Sequence, residues 1–195
     1  MYTTKTTLIS KLADGCEIGW EEFEKTYRPL ILSVASKQGV PPAECDDILQ
    51  LVMLALFNNG NFNYSSEKHG KFRTYLGGII RHKTADYFRR KQTIPVLSVP
   101  ENATVLPDFD TIYLAEYRQY ILNAAIDELR QKVSPEYFEA FQLCILQEYS
   151  DKKAAEILGE KSNNITVRKR RCKEILQKII SDLNRDDQEL ELPFI

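Results

Sequence analysis

Residues 150–173 read Ser150-Asp151-Lys152-Lys153-Ala154-Ala155-Glu156-Ile157-Leu158-Gly159, then Glu160-Lys161-Ser162-Asn163-Asn164-Ile165-Thr166-Val167-Arg168-Lys169-Arg170-Arg171-Cys172-Lys173. The first ten residues have the form of a short helix closed by a glycine turn. Gly159 suits the left-handed conformation that ends a helix, because it has no Cβ to clash. Ser162 or Asn163 is a candidate to cap the helix that follows. At a hundred degrees per residue, Ile165, Cys172, Leu176 and Ile179 form the inward stripe of that helix. Asn163, Thr166, Val167 and Arg170 fall roughly opposite, and Arg168, Arg171 and Lys173 lie on the flanks. A short helix, a tight turn and a basic helix together suggest a helix-turn-helix that would lay its second helix in a DNA major groove. Flank cations then hold phosphates, while groups such as Arg170 and Asn163 face base edges. A solvated helix end, its cations favoured by the dipole, fits the basic run alone.

Outside this unit the periodicity is helical almost throughout. Trp20, Phe23, Tyr27, Leu30, Ile31 and Val34 repeat at three-to-four spacing, with Pro29 expected to kink or restart the helix. Gly39-Val40-Pro41-Pro42 breaks the chain, and a second helix follows from about Ala43 to Phe57. Residues 58–70 are polar and turn-rich and read as a loop. A third helix runs from about Phe72 to Lys91. Pro95, Pro100 and Pro107 then punctuate a stretch without helical period that turns acidic at Asp108 and Asp110. Helices resume from about Tyr113 to Lys132 and from Ser134-Pro135 to Gln147. The expected fold is all-α: two small helical domains, residues 1–92 and 113–184, joined by a flexible linker, residues 93–112. The C-terminal domain contains the helix-turn-helix, and an acidic tail follows at 185–195.

Composition narrows the function classes. The 195 residues carry a formal net charge of −2, which argues against a sequence-blind nucleic-acid coat and leaves local patches to do any DNA binding. One patch is residues 168–173; another is Arg81-His82-Lys83 with Arg89-Arg90-Lys91. The four cysteines, Cys16, Cys45, Cys144 and Cys172, show no paired spacing, so neither a metal site nor a disulfide framework is expected, and a reducing cytoplasm fits. No stretch approaches membrane-spanning length. His69 and His82 lack partners at metal or triad spacing and are expected to face solvent or phosphate. With no phosphate loop and no nucleophile setting, no enzyme and no cofactor is implied.

On the second helix, Ile48, Leu49, Val52 and Leu56 form one apolar face, while Asp47, Gln50, Leu51 and Leu54 recur on another. Two leucines beside an acid and an amide have the composition of a partner-binding surface. Burial on two sides in a tight bundle fits the same spacing.

Three segments together resemble the extracytoplasmic-function group of bacterial sigma factors, in the sigma-70 family. Glu44-Cys45-Asp46-Asp47-Ile48-Leu49-Gln50-Leu51-Val52-Met53-Leu54-Ala55-Leu56-Phe57 is similar to the family's polymerase-docking helix. Gly70 to Leu76, with Ile79 to Lys83 and Asp86 to Arg90, looks like the helix that captures and opens the minus-ten element. The helix-turn-helix resembles the minus-thirty-five reader. The resemblance implies a core RNA polymerase contact through Asp47, Gln50, Leu51 and Leu54. It implies minus-ten contacts through Asn61, Asn63, Phe72, Arg73, Tyr75, Arg81, Lys83, Arg89 and Arg90. It implies minus-thirty-five contacts through Asn163, Asn164, Thr166, Val167, Arg168, Arg170, Arg171 and Lys173. Phe72 and Tyr75 fit core packing as well as base stacking. The family's linker threads toward the polymerase active-site cleft, and Asp108 and Asp110 would suit that channel. Members are usually restrained by an anti-sigma protein.

The chain departs from the pattern at Leu51 (usually glutamate), Ala55 (often basic), Tyr75 (commonly tryptophan), Glu160 (usually apolar) and Lys169 (usually leucine). Two other readings stay open: a DNA-binding regulator using only the helix-turn-helix, and a polymerase-binding adaptor without promoter activity.

Overall fold

The computed structural model describes residues 5–58, 61–62, 64–92 and 108–184, without the side chains of residues 5–7, 58, 61 and 92. The described residues are all-α apart from one two-residue ladder. Contacts divide it into two compact units, residues 3–120 and 121–195.

The first unit begins with α1 (Lys5–Ala13) and α2 (Glu17–Lys37). A 3₁₀ turn (Pro42–Glu44) leads into α3 (Cys45–Leu56). β1 (Phe57–Asn58) pairs antiparallel with β2 (Asn61–Phe62), and α4 (Ser66–His69) precedes α5 (Phe72–Gln92). Helix α2 runs unbroken through Pro29 instead of restarting there. Pro29 lies on the exposed side, where water can take up the carbonyl that the missing N–H leaves unpaired. Phe23, Tyr27, Leu30, Ile31 and Val34 of α2 close on Ile48, Leu49, Val52 and Leu56 of α3, with Phe72, Leu76 and Ile80 of α5 beneath them. Each such side chain contributes roughly 1.5–3 kcal/mol of burial.

Helix α6 (Phe109–Lys132) starts four residues earlier than the sequence pattern suggests. Asp108 and Asp110 therefore belong to the start of a helix. Asp108 Oδ2 accepts from the Thr111 amide at 3.2 Å and from its hydroxyl at 2.7 Å, a cap for otherwise unpaired amides. Residues 109–120 of α6 pack within the first unit. The Tyr113 hydroxyl donates to the Arg73 carbonyl at 2.8 Å, and a Cβ on Gly77 would lie 2.6 Å from the Tyr113 ring, so only glycine fits this approach.

In the second unit, α7 (Pro135–Phe141) passes into a widened π-helical turn (Gln142–Leu146). Helices α8 (Asp151–Leu158) and α9 (Ser162–Leu183) follow. The expected single helix to Gln147 is thus interrupted, and Glu148 turns the chain at φ 58°. Ser150 caps α8 by accepting from the Lys153 amide. Gly159 closes it at φ 65°, ψ 30°, the left-handed geometry its position requires. Lys161 is the residue before α9 and makes no side-chain cap; Ser162 and Asn163 are already inside the helix. Ile165, Cys172, Leu176 and Ile179 are buried as their stripe predicts. The Cys172 thiol donates to the Tyr137 carbonyl of α7 at 3.4 Å. Among the described residues no helix is long and apolar enough to cross a membrane.

Candidate polymerase and nucleic-acid interfaces

The two faces of α3 separate cleanly. Ile48, Leu49, Val52 and Leu56 are fully buried, whereas Asp47 and Gln50 are exposed and Leu54 is 64 % exposed. Leu51 is half-buried at the rim. A helix buried on two sides would not leave Leu54 in water, so that alternative is excluded. Asp46, one residue away, is held by Arg28 at 2.6 Å.

Beside this face, α3 and α5 enclose a cleft of about 270 Å³ lined by Glu44, Asp47, Leu51, Lys83, Tyr87 and Arg90. Lys91 closes it with a 2.6 Å ion pair to Glu44 and an ammonium 4.9 Å from the Tyr87 ring centroid. Hydrogen bonding from Lys91 holds the Glu44 carboxyl below its ordinary range.

The α5 residues named for the minus-ten element divide into accessible and committed groups. Lys83 is half-buried at the cleft and Arg90 is exposed. Arg89 is exposed and pairs with Asp86. Arg81 pairs with Asp110, and its guanidinium lies 4.9 Å from the Phe109 ring. Arg73 lies 5.8 Å from the Tyr117 ring. Of the two readings open for Phe72, the structure takes core packing: at 2 % exposure it is buried edge-on to Phe23, Tyr27 and Tyr64, with no face left for a base.

Tyr75 remains half-exposed. It packs 5.3 Å from Tyr64 and 4.7 Å from His69. His69 is not a free loop histidine; its Nδ1 sits 3.1 Å from the Ser65 amide, while the Tyr64 hydroxyl donates to the Gly70 carbonyl at 2.8 Å. Tyr64 and His69 thus extend the aromatic surface begun by Tyr75; the sequence pattern did not join them to Tyr75 because their region read as a loop. Asn61 lies on β2, its side chain outside the description, and Asn63 lies outside the described residues, as do 93–107 and 185–195.

In the second unit two acids organise the start of α9. Glu160 accepts from Asn164 at 2.9 Å and from Arg168 at 3.0 Å, which hold its carboxyl low. Asp151 accepts from Thr166 at 2.6 Å and pairs with Lys169; Lys169 above all holds Asp151 low. The departures at Glu160 and Lys169 are therefore each matched by an oppositely charged neighbour. Arg168 is half-buried, 5.8 Å from the Tyr137 ring, and so is not the free flank cation expected from the wheel. Asn163, Val167, Arg170, Arg171 and Lys173 are exposed, Arg170 with Glu174 at 3.6 Å. Among the described residues no cluster of His, Cys, Asp or Glu is arranged to hold a metal ion, and all four cysteines are free.

Comparison with known proteins gives two findings. Residues 25–94 match the family model for sigma-70 region 2; they run from within α2 past the end of α5. The chain is also 26 % identical over 168 residues to the RNA polymerase sigma factor SigI5 of Acetivibrio thermocellus, covering 83 % of this chain. It spans 61 % of the length of that curated relative.

Proposed function

We infer, from the sigma-70 region 2 match and the likeness to a curated sigma factor, that this chain is a dissociable promoter-specificity subunit of bacterial RNA polymerase. The first unit docks on core polymerase through Asp47, Gln50, Leu51 and Leu54 of α3. Its α5 and the segment before it engage the minus-ten element, with Tyr75 stacking an unpaired base and Lys83, Arg89 and Arg90 on the backbone. The second unit reads the minus-thirty-five element through α9. Opening a promoter needs no covalent chemistry, and none is assigned. The protein acts in the cytoplasm, and an anti-sigma protein is its expected restraint. Sigma factors of the extracytoplasmic-function type, which the sequence resembles, share this two-part layout.

One observation carries the reading: the region 2 match falls on the segment whose central helix leaves an acid, an amide and a leucine in water. That composition suits a partner surface and is wasted on a free regulator. The test is co-elution of the purified chain with bacterial core RNA polymerase, beside the Asp47→Ala/Gln50→Ala variant. Co-elution lost in a folded variant supports the reading. No association of the wild-type chain, with no initiation at any promoter, refutes it.

A further inference from the structure

Helix α9 exposes one apolar side chain among polar ones. Val167 is 45 % exposed, with Asn163 one turn before it and Arg170 one turn after. These three lie opposite the buried Ile165, Cys172, Leu176 and Ile179. Their polar neighbours are occupied: Thr166 and Lys169 by Asp151, Asn164 and Arg168 by Glu160. What the first turns of α9 offer a partner is therefore Asn163, Val167 and Arg170, the last in a long, solvent-exposed 3.6 Å pair with Glu174, with Arg171 and Lys173 on the flanks.

Valine is a costly choice for a solvent position on a helix, because its branched Cβ loses χ1 freedom there. The same stiffness suits a contact that must be ready-made. Flanking cations select a polyanion, and the N-terminal turns of the second helix are the part of a helix-turn-helix that reaches base edges. The major-groove edge of a base pair carries one apolar group, the C5-methyl of thymine.

We propose that Val167 is a specificity-determining residue that reads one thymine of the upstream element through its C5-methyl group, between Asn163 and Arg170. The assignment rests on the second unit being the duplex reader.

The experiment uses the full chain assembled with core polymerase. Duplexes are selected from a library randomised in the upstream block, and each thymine of the selected sequence is replaced in turn by uracil, which removes only the methyl group. At one position uracil should weaken wild-type binding about fourfold, the size of one buried methyl group. In the Val167→Ala variant that position should no longer distinguish thymine from uracil, while Val167→Ile should keep the preference. The proposal is overturned if no uracil position weakens binding, or if V167A retains the whole penalty. It is equally overturned if V167A loses polymerase association with DNA selectivity intact, since Val167 then faces protein. Failure of the library to yield any preferred upstream sequence, with polymerase association retained, would refute base reading by α9 altogether while leaving the docking assignment standing.

Discussion

Lys169 of α9 and Asp151, the first residue of α8, form an ion pair across the turn of the helix-turn-helix. The pair lets a cation occupy the edge of a buried stripe, its stem packed and its charge satisfied. Asp151 also stands at the positive end of the α8 dipole.

Replacing Asp151 by asparagine should destabilise the second unit by about 1 kcal/mol, the scale of a partly exposed pair with one added hydrogen bond. The carboxyl is held low in the folded chain, first by Lys169. Its contribution is present above the ordinary aspartate range and disappears as pH falls through the lowered folded value. Urea melts of wild type and D151N should therefore differ at neutral pH and converge in acid. A gap independent of pH would assign the loss to packing instead.

Replacing Glu160 by glutamine removes the charge that holds Arg168. With the guanidinium released toward a phosphate, the slope of log affinity against log salt should steepen by roughly 0.9, one further contact. A titration of duplex binding from low to moderate salt checks this. An unchanged slope would mean that Arg168 does not reach the backbone even when freed.

Phe72→Ala should cost about 3–5 kcal/mol, as expected for a buried ring, and thermal melting reads it directly. Tyr75→Ala should instead reduce promoter opening, followed by the reactivity of unpaired thymines in the polymerase complex, with Tyr75→Phe retaining most of it. Equal opening by both Tyr75 variants and wild type would remove Tyr75 from the strand-separation surface.

Leu54→Glu should leave stability within about 0.5 kcal/mol of wild type, because the side chain stands in water. Core polymerase affinity should fall about tenfold or more if this leucine is a central contact. Competitive binding against the wild-type chain measures it. A change in melting without loss of affinity would reverse the assignment of the two α3 faces.

Periodicity carried most of the architecture because burial on a helix repeats at a fixed angle. It gave the split faces of α3 and the inward stripe of α9, down to Cys172. Pairings between distant residues were not legible: nothing in the spacing joins Asp151 to Lys169, or Arg81 to Asp110. Glu160, Asn164 and Arg168 do follow helical spacing, and a charge count along the turn would have found them. Helix α1 was missed although Leu8 and Leu12, both buried, stand one turn apart, because polar threonines and lysines surround them. Phe72 was ambiguous for a physical reason, since an aromatic at a helix start suits a core and a base equally. Only burial separates the two.

The thiol of Cys172 has a use as a clock. Burial pushes it up to about 11, so at neutral pH only about one molecule in ten thousand carries the reactive thiolate. Tethered to the Tyr137 carbonyl and buried between α9 and α7, it should stay silent toward alkylating reagents while α9 is seated. Its labelling rate counts how often that helix lifts from α7, so the chain reports its own breathing without an added probe.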